Sequence, residues 1–421
     1  MFKAVAGYYK DNERLRLLVK IIAVWLISRA VMLLMVPVMN LIADEPHQWL
    51  YYMNPWDAEW YKGIVENGYQ PPKSSGMASW AFFPLYPLVC MAVRLVTMGS
   101  IDTYAVGMTV SNICIIIAVY YAVKYADIEL DMKKYNKKTV EDIIIFLMLA
   151  GPFAVYYGAM YTEALFILCV ILCFYNSARH NYMAAGIAAA MASATRIVGC
   201  MLVFVLITYI FMETCAECRA KHNSEMKDNK EAGIMLAVNI SLASVIKTFI
   251  KNVIKEPKKL VAIMISPLGI FIYMNYLRYF CGDSWAFYHV QRAWRTQKMF
   301  PVIGVLFKSC TGQLSAASGV KTLNGIILGW LCVITLMLYA AMIRKKHYAL
   351  GIFGIIVLLI PLTSSVMSTL RFIMGSFVIY IGVAEIIAGC NRYVRYGIIA
   401  LLSIVEVVVI SAWYFWDGLL M

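Results

Sequence analysis

Residues 54–69 read NPWDAEWYKGIVENGY, and this stretch sets how the whole chain is read. Asn54 suits a helix N-cap and Pro55 the first helical position. Gly68, with Pro71 and Pro72 beyond it, ends the helix. At about 100° per residue, Trp56, Trp60, Tyr61, Ile64 and Val65 share one half of the wheel, and Glu59, Lys62 and Glu66 share the other. Asp57 falls inside the apolar arc. A carboxylate on a face that meets membrane or protein loses hydration and becomes a better proton acceptor. The competing reading is that Asp57 is the third residue of a helix, where an acid complements the N-terminal dipole. Either way the segment is a short amphipathic helix, and its neighbours decide what it lies on.

Those neighbours are apolar. The chain has 421 residues, of which 62% are hydrophobic and only 14% charged. A soluble domain carries about 25% charge, and apolar runs near 20 residues recur from end to end, so the expected fold is all-α and polytopic in a membrane. The net charge of +13 then reports membrane topology rather than nucleic-acid binding. The eleven cysteines lie mostly in apolar runs, as small hydrophobes. Cys215 and Cys218 with His222 lack a fourth ligand, and no metal or cofactor is expected.

Charge orders the spans. Lys10, Arg14, Arg16 and Lys20 open the first, about 17–41, and place the N-terminus in the cytoplasm. Loop 42–103 is acidic on balance up to residue 79 and belongs outside. Segment 80–98 holds Pro84, Pro87 and Arg94. If it crossed, the loop with Lys124, Lys133, Lys134, Lys137 and Lys138 would be outside, so 80–98 is expected to lie on the outer surface beside the 55–67 helix. The further spans are expected near 104–124, 140–158, 163–179, 181–197, 198–214, 260–279, 323–343, 348–363, 370–389 and 396–416, about eleven in all. Loop 215–259 is then cytosolic and ends in a basic amphipathic helix, and loop 280–322 is outer.

This order gathers the polar residues at the outer ends of spans: Asp57, Tyr161, Thr162, Glu163, Thr195, Arg196, Arg278, Asp283, His289, Gln291, Arg292, Trp294, Arg295 and Arg371. Guanidinium forks at an outer surface suit a phosphate or diphosphate, although any one of them could simply snorkel to headgroups. In SWAFYHVQRAWR, Ser284 to Arg295, His289, Arg292 and Arg295 are three apart with Gln291 and Trp294 beside them. Arg29 lies inside the first span and needs a partner, either Glu163, a lipid phosphate or a structural acid.

Four blocks together resemble the PIG-V family, the second mannosyltransferase of glycosylphosphatidylinositol assembly, and its bacterial relatives, which are GT-C class glycosyltransferases. They are WDAEWYKGIVENGY (Trp56 to Tyr69), AFFPLYPL (Ala81 to Leu88), YTEALF with ATRIVG (Tyr161 to Phe166, Ala194 to Gly199) and GDSWAFYHVQRAWR (Gly282 to Arg295). STLRF, Ser368 to Phe372, adds a fifth, weaker match. The resemblance implies two juxtamembrane helices in the first outer loop, a polyprenyl- or dolichyl-phosphate mannose donor, a lipid-linked or cell-surface acceptor at the outer face, and Asp57 as catalytic base. On that reading Arg196, Arg292, Arg295 and Arg371 bind the donor phosphate. Trp56, Glu59, Tyr69, Tyr161, Glu163, His289, Gln291 and Trp294 contact sugar or lipid. The membrane would be the plasma membrane of a bacterium or the endoplasmic reticulum of a eukaryote. A flippase for a lipid-linked sugar, or a related enzyme moving another sugar, remains the alternative.

Overall fold

The computed structural model describes residues 12–43, 46, 48–72, 76–293 except 232–240, 301–313, 322–363, 366–417 and 420, with backbone alone over 225–231. Every described regular element is a helix. Short polar side chains start many of them. Asn12 accepts the Leu15 N–H at 3.1 Å before Glu13–Asn40, and Asp102 accepts those of Tyr104 and Ala105 before Thr103–Glu129. Asn136 and Asn391 do the same for Lys137–Leu149 and Arg392–Tyr414.

Among the described residues, five helices are long and apolar enough to cross a membrane: Glu13–Asn40, Thr103–Glu129, Ile197–Ser224, Thr322–Arg344 and Arg392–Tyr414. Two more qualify as bent pairs, Pro257–Ile265 with Leu268–Cys281 at 42°, and Thr369–Gly375 with Val378–Gly389 at 71°. Pro267 sits at the first bend, where a missing N–H and a ring in the helix path favour a break. By length and composition five to seven crossings meet this requirement among the described residues, against the eleven or so expected. The other four expected spans are helices of 13, 16, 12 and 15 residues: Lys137–Leu149, Glu163–Ala178, Tyr182–Ser193 and Tyr348–Leu362. At 1.5 Å per residue they reach about 18–24 Å, short of the ~30 Å hydrocarbon core.

The short helices are short for a shared reason. Each breaks at the same end of the bundle, into the turns and short 3-10 helix of 150–162, the turn at 194–196 and the turn at Thr363. Gly151 and Pro152 stop the first. A Cβ at Gly151 would lie 2.5 Å from the Leu147 carbonyl oxygen, and proline cannot carry the helix on. Segment 150–162 is almost wholly buried. Irregular backbone at membrane depth is tolerated where protein encloses it.

The centre is the Glu163–Ala178 helix, buried along nearly its whole length. Small residues of Thr103–Glu129, among them Cys114, Ala118, Ala122 and Ala126, let that helix pack closely against it. The outer faces of Glu13–Asn40 and Arg392–Tyr414 expose Leu18, Ile22, Leu26, Ile27, Leu401, Ile404 and Val408. Such a surface suits lipid and not water. Ion pairs tie the basic end: Lys20 with Glu141 at 2.6 Å and Asp142 at 2.7 Å, Lys137 with Glu13 at 2.7 Å, and Lys259 with Glu213 at 3.3 Å. At the opposite end the Tyr414 hydroxyl donates to Asn40, and its ring stacks on Tyr52 at 3.6 Å.

His347 precedes Tyr348–Leu362 at the basic end, 2.7 Å from the Glu129 carboxylate. Hydrogen bonds to Glu129 and Glu385 raise its pKa from 6.5 to about 9. A raised folded-state value stabilises the fold fully below the ordinary 6.5, and that contribution is lost as pH rises through about 9. Thermal midpoints of the purified protein should therefore fall across this window, and His347→Gln should flatten the fall. An unchanged pH dependence in the variant would remove His347 as its source.

Segment 80–98 forms the 12-residue helix Leu85–Val96. At about 18 Å it is too short to cross, in keeping with a surface position. It packs against the Asp57–Asn67 helix through Tyr61 and Tyr86, whose rings meet edge to face at 5.4 Å. The basic helix, Leu242–Lys255, seats Phe249 on Phe211 and leaves Leu242, Ile246, Ile250 and Ile254 exposed alongside Lys247, Lys251 and Lys255.

Candidate active site

The helix carrying Asp57 begins later than its sequence suggests. It spans Asp57–Asn67, so Asp57 is its first residue, not its third. Asn54 does not cap it. The Asn54 side chain instead accepts the Met160 N–H at 2.7 Å and donates to the Leu50 carbonyl at 2.8 Å, pinning this loop to segment 150–162. Trp56 takes the capping position with φ +46 and ψ −103, a conformation that bulky residues rarely adopt. The wheel itself holds: Tyr61, Ile64 and Val65 are buried, while Glu59 and Glu66 are exposed.

Asp57 is not a lone charge on an apolar face. Its carboxylate accepts a hydrogen bond from Arg371 Nη1. Arg371 Nε donates to Glu163 at 2.6 Å, and Arg196 Nη1 donates to the same Glu163 oxygen at 2.8 Å. The result is a chain of alternating charge: Asp57, Arg371, Glu163, Arg196. It joins four separate parts of the sequence. Glu163 opens the central helix, Arg196 follows the end of Tyr182–Ser193, and Arg371 sits in the first turn of Thr369–Gly375 after Ser368 in a left-handed conformation at φ +63. Three of the four come from where helices break.

The two acids differ in burial. The Glu163 side chain is 1% exposed, whereas that of Asp57 is 27% exposed. The inner acid is thus committed to the two arginines, and the outer acid is open to a visiting molecule. Rings complete the support. Arg371 lies over Tyr161 at 4.9 Å, and Arg196 over Phe372 at 5.2 Å. The Tyr161 hydroxyl donates to the Pro55 carbonyl at 2.6 Å, fixing the loop that presents Asp57.

Several residues expected to touch sugar or lipid also make contacts within the protein. Glu163 has one oxygen on both arginines and the other 3.4 Å from the Thr162 hydroxyl, so its hydrogen-bonding capacity is spent inside the protein. Tyr161 is buried beneath Arg371 and supports it. Tyr69 donates to the Phe82 carbonyl at 2.7 Å and packs among Tyr273 and Tyr276. Glu59 is exposed and accepts from the Tyr104 hydroxyl. Trp56 lies against Trp413 at 5.3 Å.

The fourth block stands apart from the charge chain. Residues Ala286–His289 form one helical turn and Val290–Ala293 a 3-10 turn. They cover the stretch after the Asp57 helix, with Phe287 edge-on to Phe83 at 5.4 Å. His289 Nδ1 lies 2.6 Å from Asp283, and this hydrogen bond holds the Asp283 carboxyl below its usual range. Among the described residues, His289, Gln291 and Arg292 make no direct contact with the four-residue chain. Trp294 and Arg295 lie outside the described residues.

Arg29 does not pair with Glu163. Its Nη1 donates to the Ala154 carbonyl at 3.1 Å, and its electrostatic partner is Glu406 of the Arg392–Tyr414 helix. Arg29 thereby braces segment 150–162 from below. Glu406 was not anticipated, although a carboxylate deep in an apolar run is itself a signal.

The whole chain resembles solved membrane proteins in outline. An oligosaccharyltransferase of Archaeoglobus fulgidus, tethered to an acceptor peptide, aligns with 97% of this chain and 56% of its own at 13% identity and a TM-score of 0.48. The oligosaccharyltransferase AglB from the same organism, in complex with an inhibitory peptide and a dolichol-phosphate, aligns with 98% of this chain and 56% of its own at 12% identity and a TM-score of 0.47. ArnT of Cupriavidus metallidurans, bound to undecaprenyl phosphate, aligns with 95% of this chain and 76% of its own at 12% identity and 0.47. The chain spans about half the length of the oligosaccharyltransferase. A search of the curated proteins found no match. The sequence itself matches a family model described as Mannosyltransferase (PIG-V) over residues 12–290, which takes in Asp57, Glu163 and Arg196. The chain therefore belongs to the PIG-V family of mannosyltransferases.

Proposed function

We propose that this protein is an inverting glycosyltransferase that moves mannose from a polyprenyl- or dolichyl-phosphate mannose to a lipid-linked or cell-surface acceptor. The observation that carries the reading is the Asp57–Arg371–Glu163–Arg196 chain, with its outer carboxylate open and its inner one sealed. The lysines at the basic end support, by the positive-inside rule, an extracytoplasmic site and a cytoplasmic N-terminus. The Leu242–Lys255 helix then rests on anionic lipid at the opposite face.

Asp57 takes the proton of the acceptor hydroxyl while that oxygen bonds to the anomeric carbon. The bond from that carbon to the phosphate oxygen breaks, and its electron pair leaves with the lipid phosphate. One displacement inverts the configuration, following the logic of inverting glycoside chemistry with an alcohol in place of water. The charges move in step. The donor phosphate gains one negative charge as Asp57 loses its own by protonation. Arg371, paired with Asp57 beforehand, is released at that moment to stabilise the growing charge on phosphate, with Arg196 beside it. Glu163 keeps both forks aimed and takes no proton. Arg292 contributes from the loop above, and Arg292→Ala should raise the donor KM several-fold with little loss of stability. A donor KM equal to wild type would remove Arg292 from the phosphate site.

The test is transfer by purified protein from radiolabelled polyprenyl-phosphate mannose into a membrane lipid extract. Labelled glycoside supports the reading. Labelled lipid crossing proteoliposomes with no new glycosidic bond would instead establish a flippase.

A further inference from the structure

A ladder of aromatic rings leads outward from the charge chain. It starts at Tyr161, beneath Arg371, and passes to Trp413, whose ring centroid lies 5.7 Å away. Trp56 meets Trp413 edge to face at 5.3 Å, Trp416 lies 6.1 Å from Trp56, and Tyr51 stacks on Trp416 at 5.2 Å with 29° between planes. The inner rungs are sealed, with Trp413 only 2% exposed. The outer rungs are open: Tyr51 is 45% and Trp416 36% exposed.

One further observation marks this wall as more than packing. Trp56 holds φ +46 with ψ −103, a costly conformation for so large a residue and one that persists where function fixes it. An interfacial aromatic belt does not require it, since its rings need only sit at headgroup level. The positive φ of Trp416, +53, is the left-handed turn that ends the last helix.

We propose that Tyr51, Trp56 and Trp416 form a pyranose-binding wall that seats the acceptor sugar beside Asp57. The C–H face of a hexopyranose is apolar and weakly positive, so it stacks on the electron-rich face of an aromatic ring. A ring lodged next to Trp56 brings a hydroxyl to the adjacent Asp57, on the open side of the charge chain. Lipid-phosphate donors meet Arg371 and Arg196. The wall thus gives the acceptor its own subsite, formed in part by the C-terminal end of the last helix. This inference rests on the glycosyl-transfer reading for the sugar's role, although sugar binding is measurable without turnover.

The experiment is saturation-transfer NMR on the protein in lipid nanodiscs, with methyl glycosides of mannose, glucose, galactose and glucosamine as probes. Irradiating the aromatic protons should saturate the ring C–H protons of at least one probe. Trp416→Gly should cut that signal by about threefold or more, the loss expected for one aromatic contact. Glycine also relieves the left-handed backbone, so the variant should keep or gain thermal stability. Trp416→Phe and Asp57→Asn should retain the signal. Wild-type protein that transfers mannose yet saturates no probe overturns the wall, as does a Trp416→Gly signal equal to wild type. Protein that binds a probe but transfers nothing refutes the transfer reading and leaves the wall standing.

Discussion

Asp57→Asn should reduce transfer by about 10²–10⁴-fold, the range for removing a general base, and leave expression and thermal unfolding near wild type. The substitution keeps the shape and one acceptor oxygen for Arg371, so the loop remains anchored through Asn54 and Tyr161. What it loses is a basic oxygen able to take the acceptor's proton. Two readouts separate the base from a mere ligand. The donor KM should change little, because Arg371 and Arg196 are intact, whereas kcat should fall with kcat/KM for both substrates. A variant that transfers at near wild-type rate would assign the base elsewhere. A variant that unfolds early would show that the Asp57–Arg371 pair is chiefly structural.

Glu163→Ala carries the largest expected effect on stability. It leaves Arg196 without its carboxylate and Arg371 with Asp57 alone. Removing one partner of a buried ion pair costs about 3–5 kcal/mol, because the remaining charge is left uncompensated. Thermal unfolding followed by tryptophan fluorescence should therefore show a marked drop in midpoint for Glu163→Ala. Adding Arg196→Ala to it should restore part of that loss, since one stranded charge goes with it. Additive losses in the double variant would mean that the two side chains do not act as a pair. Activity should fall in every one of these variants, as Arg371 loses the oxygen that aims it.

Much of this site can be read from the sequence, and the limits are physical. Asp57 is visible because helical periodicity places it among apolar neighbours, and buried Tyr61, Ile64 and Val65 bear that wheel out. Glu163 and Arg196 are visible because charge counting brings their span ends to one face. Arg371 stands in the weak STLRF motif, yet it is the hub of the site. Its contact with Asp57 spans 314 residues of sequence, and only tertiary packing creates such a pair. The signal was present all the same, since an arginine at the start of an apolar run needs an acid, the argument applied to Arg29. The start of the Asp57 helix escaped for a related reason. Asn54 is a good cap in isolation, but the Met160 N–H of a distant buried turn claims its side chain. Span lengths were overestimated where hydropathy runs on past the helix. Residues 150–158 are apolar, yet Gly151 and Pro152 break them into irregular backbone that builds the site.

Lipid phosphate and catalytic base meet, on this reading, at the one charge chain. An electron cryo-microscopy structure of the protein in nanodiscs loaded with polyprenyl phosphate tests it most directly. The account predicts phosphate density within hydrogen-bonding distance of Arg371 and Arg196, on the side of the chain next to Asp57. Phosphate held at the lysine-rich end of the bundle, or at any site from which Asp57 cannot be reached, would contradict it.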